Sequence, residues 1–228
     1  MKPILFLLTC LFLCNCTSND KQEKQHVAGT TASGKIINYD SCKKLILFLK
    51  QQQKTKWHGL SKMVKEKVFT DAVTETIVPA WIGTTWNFYG TTEIPRKGSI
   101  ACGYFVTTVL RDAGLPIARV KLAQCASEQM ITSLVQPQYI TRLSNASIET
   151  FTQSVKKAGT GLYIIGLDNH TGFIYNDGSN IYFIHASYIG TRSVQKDIAI
   201  TNPIIRNSKY RILGKISSDE KVLERWIN

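Results

Sequence analysis

Three residues of this sequence have the types needed for nucleophilic catalysis by a thiol: Cys102, His170 and His185. A cysteine attacks as its thiolate, and a neighbouring imidazole or the positive end of a helix dipole favours that form. The residues after Cys102 predict that it begins a helix, where the dipole acts on its sulfur. We expect one of the two histidines to be the base and the other to orient it. The chemistry indicated is hydrolysis or acyl transfer through a covalent intermediate.

A pair of antiparallel strands is expected to bring the two histidines together. Strongly apolar runs at 172–175 and 181–184 are separated by a short polar loop, the pattern of a hairpin. His170 precedes the first strand and His185 ends the second. Pairing of the strands therefore predicts that the two imidazoles lie within reach of each other.

The order of the predicted elements gives the fold class. Helices are expected to begin near residue 40 and to cover 60–73, 102–113, 147–158 and 217–227. Strands are expected at 162–167, 172–175, 181–184, 191–200 and 210–215. Because helices dominate the first part and an antiparallel sheet the second, the sequence predicts an α+β domain with helices packed on that sheet.

Changes in composition divide the chain into four segments. Residues 1–15 have the charge and the short apolar run of a secretory signal. Residues 16–35 are polar and then small, which is typical of a flexible tether. Residues 36–80 are predicted to form a small helical N-terminal extension, and 81–228 the main domain. The chain is therefore expected to be exported.

A lipid anchor is expected at Cys16. Leu13 lies three residues upstream, which resembles the signal of bacterial lipoproteins, whose cysteine is diacylated. Cys14, with Leu11 three residues before it, is the alternative, and a cleaved signal peptide without lipid is another. The expected location is a bacterial envelope membrane, on its periplasmic or surface face.

Four short motifs resemble, in order, those of the NlpC-type cell-wall cysteine peptidases, which have a compact papain-like fold. They are GTTWNFYG at 83–90, ACGYFV at 101–106, HTGFIY at 170–175 and FIHAS at 183–187. The resemblance implies a papain-like cysteine hydrolase domain at 81–228, with Cys102 as nucleophile, His170 as base and His185 orienting it. It also implies cleavage of peptide or amide bonds in peptidoglycan stem peptides.

Three positions depart from the pattern of that family. Ala101 replaces an aspartate, and Gly103 replaces a serine. Trp86 replaces a tyrosine whose hydroxyl approaches the cysteine, and an indole N–H can donate a hydrogen bond but cannot accept one. Tyr89, three residues later, is a second source of a hydroxyl. We therefore expect Trp86, Tyr89 and Gly103 to contact the substrate, and we expect the mechanism to be better defined than the substrate.

The charge balance favours an anionic partner. Lys and Arg number 28 against 16 Asp and Glu, a net charge of +12. This suits peptidoglycan and an anionic membrane surface. The lysines are spread along the chain without the interleaved aromatics of a strand-binding groove, so no nucleic-acid partner is expected.

Other interpretations of the same residues stay open. Cys102, His170 and His185 could bind zinc, although the sequence lacks a short-spaced ligand pair, so neither a metal nor another cofactor is expected. The protein could also be an amidase or acyltransferase on another envelope substrate, or a wall-binding lipoprotein without activity. Cys42 and Cys125 could form a disulfide or stay as two thiols.

Overall fold

The computed structural model describes residues 38–228. The signal, the tether and the lipidation site at Cys16 lie outside the described residues. Residues Ile37–Asn228 form one compact unit. Within the part of the chain that is described, no helix is both long and apolar enough to cross a membrane.

Nine α-helices are assigned within residues 38–228. They are α1 (Tyr39–Lys54), α2 (Lys62–Asp71), α3 (Val78–Trp81), α4 (Cys102–Asp112), α5 (Arg119–Ala123), α6 (Ser127–Leu134), α7 (Ile148–Ala158), α8 (Pro203–Asn207) and α9 (Glu220–Ile227). A π-helical segment, Ala72–Ile77, joins α2 to α3 without a break in the helical path. The single helix expected at 60–73 is therefore longer in the structure and changes its winding.

Eight strands complete the domain and form two sheets. They are β1 (Thr85–Trp86), β2 (Ser99–Ile100), β3 (Ile140–Ser144), β4 (Gly161–Leu167), β5 (Thr171–Asn176), β6 (Ile181–Ala186), β7 (Val194–Ile198) and β8 (Tyr210–Gly214). The main sheet has the order β3-β8-β4-β5-β6-β7 and is antiparallel throughout. β1 and β2 form a separate short parallel pair. The α+β class expected from the sequence is confirmed.

The main sheet is covered by helices on both faces. Side chains alternate across a strand, so Phe173 and Ile174 of β5 point to opposite faces. Phe173 packs against Phe105 of α4, with ring centroids 6.0 Å apart. Ile174 belongs to a second buried cluster that includes Phe151 of α7. The helix that begins at Cys102 is thereby fixed against the strand that follows His170.

The helices expected as an N-terminal extension share the core of the main domain. The rings of Trp57 and Phe69 lie 5.6 Å and 5.5 Å from that of Trp226 in α9. The indole of Trp226 donates in turn to the carbonyl of Ala113, at 2.6 Å, at the end of α4. Residues 38–80 therefore pack as part of the same unit, and no boundary between compact units falls near residue 80.

The ends of α7 follow the chemistry expected of them. Ser147 precedes the helix, and its hydroxyl accepts from the backbone N–H of Thr150 at 3.1 Å. Gly159 follows it with a φ of 90°, a conformation that favours glycine. The helix expected at 147–158 is confirmed, with a side-chain cap before it and a glycine after it.

Candidate active site

Cys102 is the first residue of α4 and is held there by the loop before it. Ala101 has an extended backbone and provides no side-chain cap. Its N–H donates to the carbonyl of Gly90 at 2.8 Å. The preceding residue, Ile100, is paired with Trp86 in the two-stranded sheet. The thiol is therefore anchored on both sides, by a strand and by a helix.

The surroundings of the Cys102 sulfur act on its charge in opposite directions. Backbone N–H groups of Thr171, of Gly103 and of Cys102 itself face the sulfur and favour the thiolate. Burial has the larger effect and raises the pKa of the thiol above its ordinary value. The sequence predicts a pKa lowered by the helix start, and the direction of that prediction is wrong because the helix start is buried.

His170 and His185 are joined directly. The Nε2 atom of His170 lies 2.9 Å from the Nδ1 atom of His185, a hydrogen-bond distance. The two residues are 3% and 0% exposed. Gly172 is required beside them, because a Cβ at this position would lie 2.9 Å from the Cβ of His185. The predicted approach of the two imidazoles is confirmed, and their catalytic roles stay predictions.

Both histidines are neutral at neutral pH. Burial lowers the pKa of His170 to about 3, with a smaller contribution from the neighbouring His185. Burial also lowers the pKa of His185, although Asp197 opposes the shift. A neutral imidazole has one nitrogen that donates and one that accepts. The pair can therefore transmit a preference for the position of a proton from one ring to the next.

Asp197 and Asn202 extend this pair and were not predicted from the sequence. The Nε2 atom of His185 lies 3.1 Å from Oδ2 of Asp197. The side-chain amide of Asn202 donates to the same oxygen at 2.8 Å. Asp197 lies in β7 within a strand that the sequence does predict, but its position beside His185 depends on the register of β6 with β7.

Cys102 lies beside the start of the strand that follows His170. The amide that faces the Cys102 sulfur belongs to Thr171, the residue directly after His170. Among the described residues, no hydrogen bond joins the thiol to the His170 ring, and the side-chain hydrogen bond of that ring is the one between its Nε2 atom and His185. The structure thus brings Cys102 next to the backbone at His170 without a direct contact between the thiol and the ring.

Trp86 belongs to the wall of this site. Its ring lies 6.0 Å from that of Tyr188, which in turn lies 5.2 Å from the ring of His170. The guanidinium of Arg192 also lies over the indole of Trp86, 5.0 Å from the ring centroid. The indole N–H is buried and has no hydrogen-bond partner within residues 38–228. A buried donor without a partner is costly.

Tyr89 does not share that position. It is 85% exposed. Its ring packs edge-on against Phe88, with centroids 5.1 Å apart. Of the two side chains expected to replace the hydroxyl of the family, only Trp86 reaches the residues around His170.

Gly103 has a packing role that the sequence does not reveal. A Cβ on Gly103 would collide with the carbonyl oxygen of Ala123, the last residue of α5. Backbone atoms cannot move aside as a flexible side chain can. The glycine is therefore required by the contact between α4 and α5, whether or not it also contacts a substrate.

Gly103→Ala should destabilise the fold. Forcing a methyl group into a close-packed contact costs about 1–3 kcal/mol, which exceeds the gain of up to about 1 kcal/mol expected from placing alanine in a helix. Urea denaturation measures the difference. Gly59→Ala is the matched control, because a Cβ there meets nothing within 4 Å. Equal stability of Gly103→Ala and the wild type would contradict the packing role.

Two clefts lie beside the hydrogen-bonded series that His170, His185, Asp197 and Asn202 form. One of about 210 Å³ is bordered by Asn169 and Tyr188, the neighbours of His170 in sequence and in space. A larger one of about 560 Å³ is bordered by Gln195, Asp197 and Asn202. Cys102 lines neither of them. The outer members of the series are therefore open to solvent, whereas the two imidazoles are enclosed.

The structure supports neither a zinc site at the two histidines nor a disulfide between Cys42 and Cys125. The facing nitrogens of His170 and His185 are hydrogen-bonded to each other, so they cannot both bind one ion. No cluster of three or more potential metal ligands occurs among residues 38–228. Cys42, Cys102 and Cys125 are all free thiols, so the possible disulfide is not formed.

Comparison with protein-family models, with curated proteins and with solved structures finds no match to this chain. Its resemblance to the NlpC-type peptidases therefore depends on the four sequence motifs. The thiol at a helix start and the linked histidines are the features on which a functional proposal can be built.

Proposed function

We propose that this protein is a cysteine hydrolase of the NlpC type that cleaves peptide or amide bonds, with peptidoglycan stem peptides as its substrate. One observation carries the proposal. The Cys102 sulfur lies against the backbone next to His170, and the ring of His170 is hydrogen-bonded to that of His185 at 2.9 Å. A nucleophile, a base and a group that orients the base are the parts this chemistry needs.

The resting groups are uncharged, so the thiol has to lose its proton during the attack. Burial raises the pKa of the Cys102 thiol and lowers that of His170 to about 3, so the resting pair is a neutral thiol and a neutral imidazole. In the proposed step, the proton of Cys102 passes to His170 as the sulfur attacks the substrate carbonyl. The imidazolium then gives that proton to the departing amine. Water hydrolyses the resulting thioester, with His170 again acting as the base.

The tetrahedral intermediate carries a negative charge that needs fixed donors. Backbone N–H groups of Cys102, Gly103 and Thr171 converge on the region of the sulfur. Donors of this kind act before substrate arrives and do not reorganise, so they stabilise the developing oxyanion.

The cationic side chains around the site suit a substrate that carries carboxylates. The guanidinium of Arg192 lies over the ring of Trp86, and the same ring packs against Tyr188. The net charge of +12 acts in the same direction over a longer range. Peptidoglycan stem peptides have free carboxylates, and a chain anchored by a lipid at Cys16 would work close to the wall.

A catalytic role explains a feature that a binding protein does not need. Two imidazoles are buried against each other and joined by a hydrogen bond, and the second is joined in turn to Asp197. A buried polar series of this kind costs free energy to build unless each hydrogen bond is made, and it is what the orientation of a catalytic base requires. We therefore favour hydrolysis over non-catalytic wall binding.

Digestion of purified peptidoglycan by the full-length protein tests this function. We expect new muropeptides, identified by mass spectrometry, in which one amide bond of the stem has gained the elements of water. The same protein treated with iodoacetamide should release none, because alkylation removes the nucleophile. Identical muropeptide profiles with and without the protein would contradict the proposal. Products coupled to an added amine in preference to water would replace hydrolysis by acyl transfer.

A further inference from the structure

The hydrogen bonds of the site continue outward from His185 to a carboxylate. The Nε2 atom of His170 lies 2.9 Å from Nδ1 of His185, and the Nε2 atom of His185 lies 3.1 Å from Oδ2 of Asp197. We propose that Asp197 is a positioning residue, which fixes where the protons lie on both imidazoles so that His170 presents an unprotonated Nδ1 to Cys102. Its catalytic consequence rests on the proposed function, but its effect on the protons does not.

Asp197 determines which nitrogen of His185 carries hydrogen. An ionised carboxylate can only accept hydrogen bonds. The Nε2 atom of His185, which faces Oδ2 of Asp197, must therefore be the donor. In a neutral ring the other nitrogen is then an acceptor. The Nδ1 atom of His185 thus offers a lone pair to its neighbour.

The same reasoning sets the proton of His170. Its Nε2 atom faces the accepting Nδ1 atom of His185 at 2.9 Å, so it must donate. The Nδ1 atom of His170 is then without hydrogen. It is therefore the one available to take a proton from Cys102.

Asn202 keeps the carboxylate of Asp197 in its accepting role. Its Oδ1 atom accepts from the backbone N–H groups of Ile204 and Ile205, at 3.0 Å and 3.4 Å, and thereby caps α8. Its Nδ2 atom must therefore point the other way, and it donates to Oδ2 of Asp197 at 2.8 Å. The side chain of Asp197 is 32% exposed, so its remaining lone pairs reach solvent.

Removal of this carboxylate should reverse the series. In Asp197→Ala, the side-chain atom that still faces Nε2 of His185 is Nδ2 of Asn202, at 3.5 Å, which can only donate. The Nε2 atom of His185 would then have to accept, and its Nδ1 atom would have to donate. His170 would accept at Nε2 and hold its hydrogen at Nδ1, where it can no longer take one from the thiol.

Nitrogen chemical shifts of the histidine rings, measured at neutral pH on the ¹⁵N-labelled protein, test this directly. In the wild type we expect the unprotonated shift at Nδ1 of His170 and the protonated shift at Nε2. In Asp197→Ala the two assignments should exchange, and the rate of Cys102 alkylation, followed by mass spectrometry of the Cys102 peptide, should fall by about 10²-fold, the size of effect expected when a general base is lost. Asp197→Asn should keep the wild-type assignments, because Asn202 and His185 face the same atom, Oδ2, and the carbonyl oxygen of the new amide can take its place.

Two control variants separate positioning from general disturbance. Asn202→Ser keeps an oxygen to cap α8 but removes the donor to Asp197, and the carboxylate should still hold the proton pattern of the wild type. Asp40→Asn removes an exposed carboxylate in the first turn of α1, and it should change neither readout. Thermal unfolding confirms that the compared variants are folded.

The possible outcomes distinguish this inference from the proposed function. Unchanged ring nitrogen shifts in a folded Asp197→Ala variant would overturn the positioning role, whatever the protein cleaves. Exchanged shifts would support it even if the wild type released no muropeptides, in which case only the proposed hydrolase function would fail.

Discussion

Cys102→Ala should lower kcat/KM for cleavage of peptidoglycan stem peptides by a factor on the order of 10⁴ or more, because only binding and oxyanion stabilisation would then remain. The sulfur is the one atom of the proposed site that forms a bond with the substrate carbon. Cys102→Ser should lose nearly as much, since the hydroxyl is a weaker nucleophile and its proton is held far more tightly. Muropeptide release, quantified over a range of enzyme concentrations, measures both variants.

The chain provides a matched control for this variant in Cys125. It is a free, partly buried thiol like Cys102, and its sulfur donates to the carbonyl of Lys121 at 3.1 Å. Cys125→Ala should retain wild-type cleavage. Full activity of Cys102→Ala would remove the proposed nucleophile, and equal losses in both variants would point to structural damage instead of chemistry.

The pairing of the two histidines could be predicted because it depends on a local feature. A short hairpin loop between two apolar runs brings the start of one strand near the end of the other, whatever the rest of the fold does. His170 and His185 stand at those two positions. The contact between the two imidazoles could therefore be predicted from residues that are close in sequence.

Asp197 could not be predicted, because its place depends on a register that the sequence leaves open. The strand around it was expected, but a shift of one residue in its pairing with β6 would turn its side chain to the other face. In the structure Gln195 lies opposite His185, and Asp197 reaches the ring diagonally from its place opposite Phe183. Asn202 lies farther along, after a turn that carries no strong sequence signal.

The electrostatics of the thiol were mispredicted for a related reason. Sequence identifies a helix start and its dipole, both of which favour the thiolate. It does not reveal that Cys102 is packed against the backbone of Thr171 and partly buried. Tertiary burial then outweighs the local field.

The regions of the fold that were missed are short or lack periodicity. Between α4 and α7 the sequence predicts no element, whereas the structure has α5, α6 and the edge strand β3. α5 has five residues, and β3 alternates only partly between apolar and polar side chains. The packing of the N-terminal helices on Trp226 joins residues more than 150 positions apart, as Trp57 and Trp226 illustrate. Such contacts have no local signature.

His170→Gln should lower kcat/KM for the same cleavage by about 10²–10⁴-fold, the contribution typical of a general base. Glutamine fills similar space, and its amide can still donate to Nδ1 of His185. It cannot take a proton from Cys102. His58→Gln is the matched control, since His58 is an exposed residue of the turn Trp57–Gly59. Wild-type activity in His170→Gln would exclude His170 as the base.

The same variant should change how stability depends on pH. An imidazole in the unfolded chain has a pKa of about 6.5, whereas burial lowers that of folded His170 to about 3. Between these values the unfolded chain binds a proton that the folded protein does not. The free energy of unfolding should therefore be highest above pH ~6.5 and fall as the pH falls, by about 1.4 kcal/mol per pH unit for this one group.

Urea denaturation between pH ~4.5 and ~7 measures the slope, which His170→Gln should reduce by that amount. The remaining slope reflects the other groups, including His185, whose pKa is also lowered by burial. Equal slopes in the two proteins would mean that His170 is not held neutral by burial, and the proposed neutral thiol–imidazole pair would then be wrong.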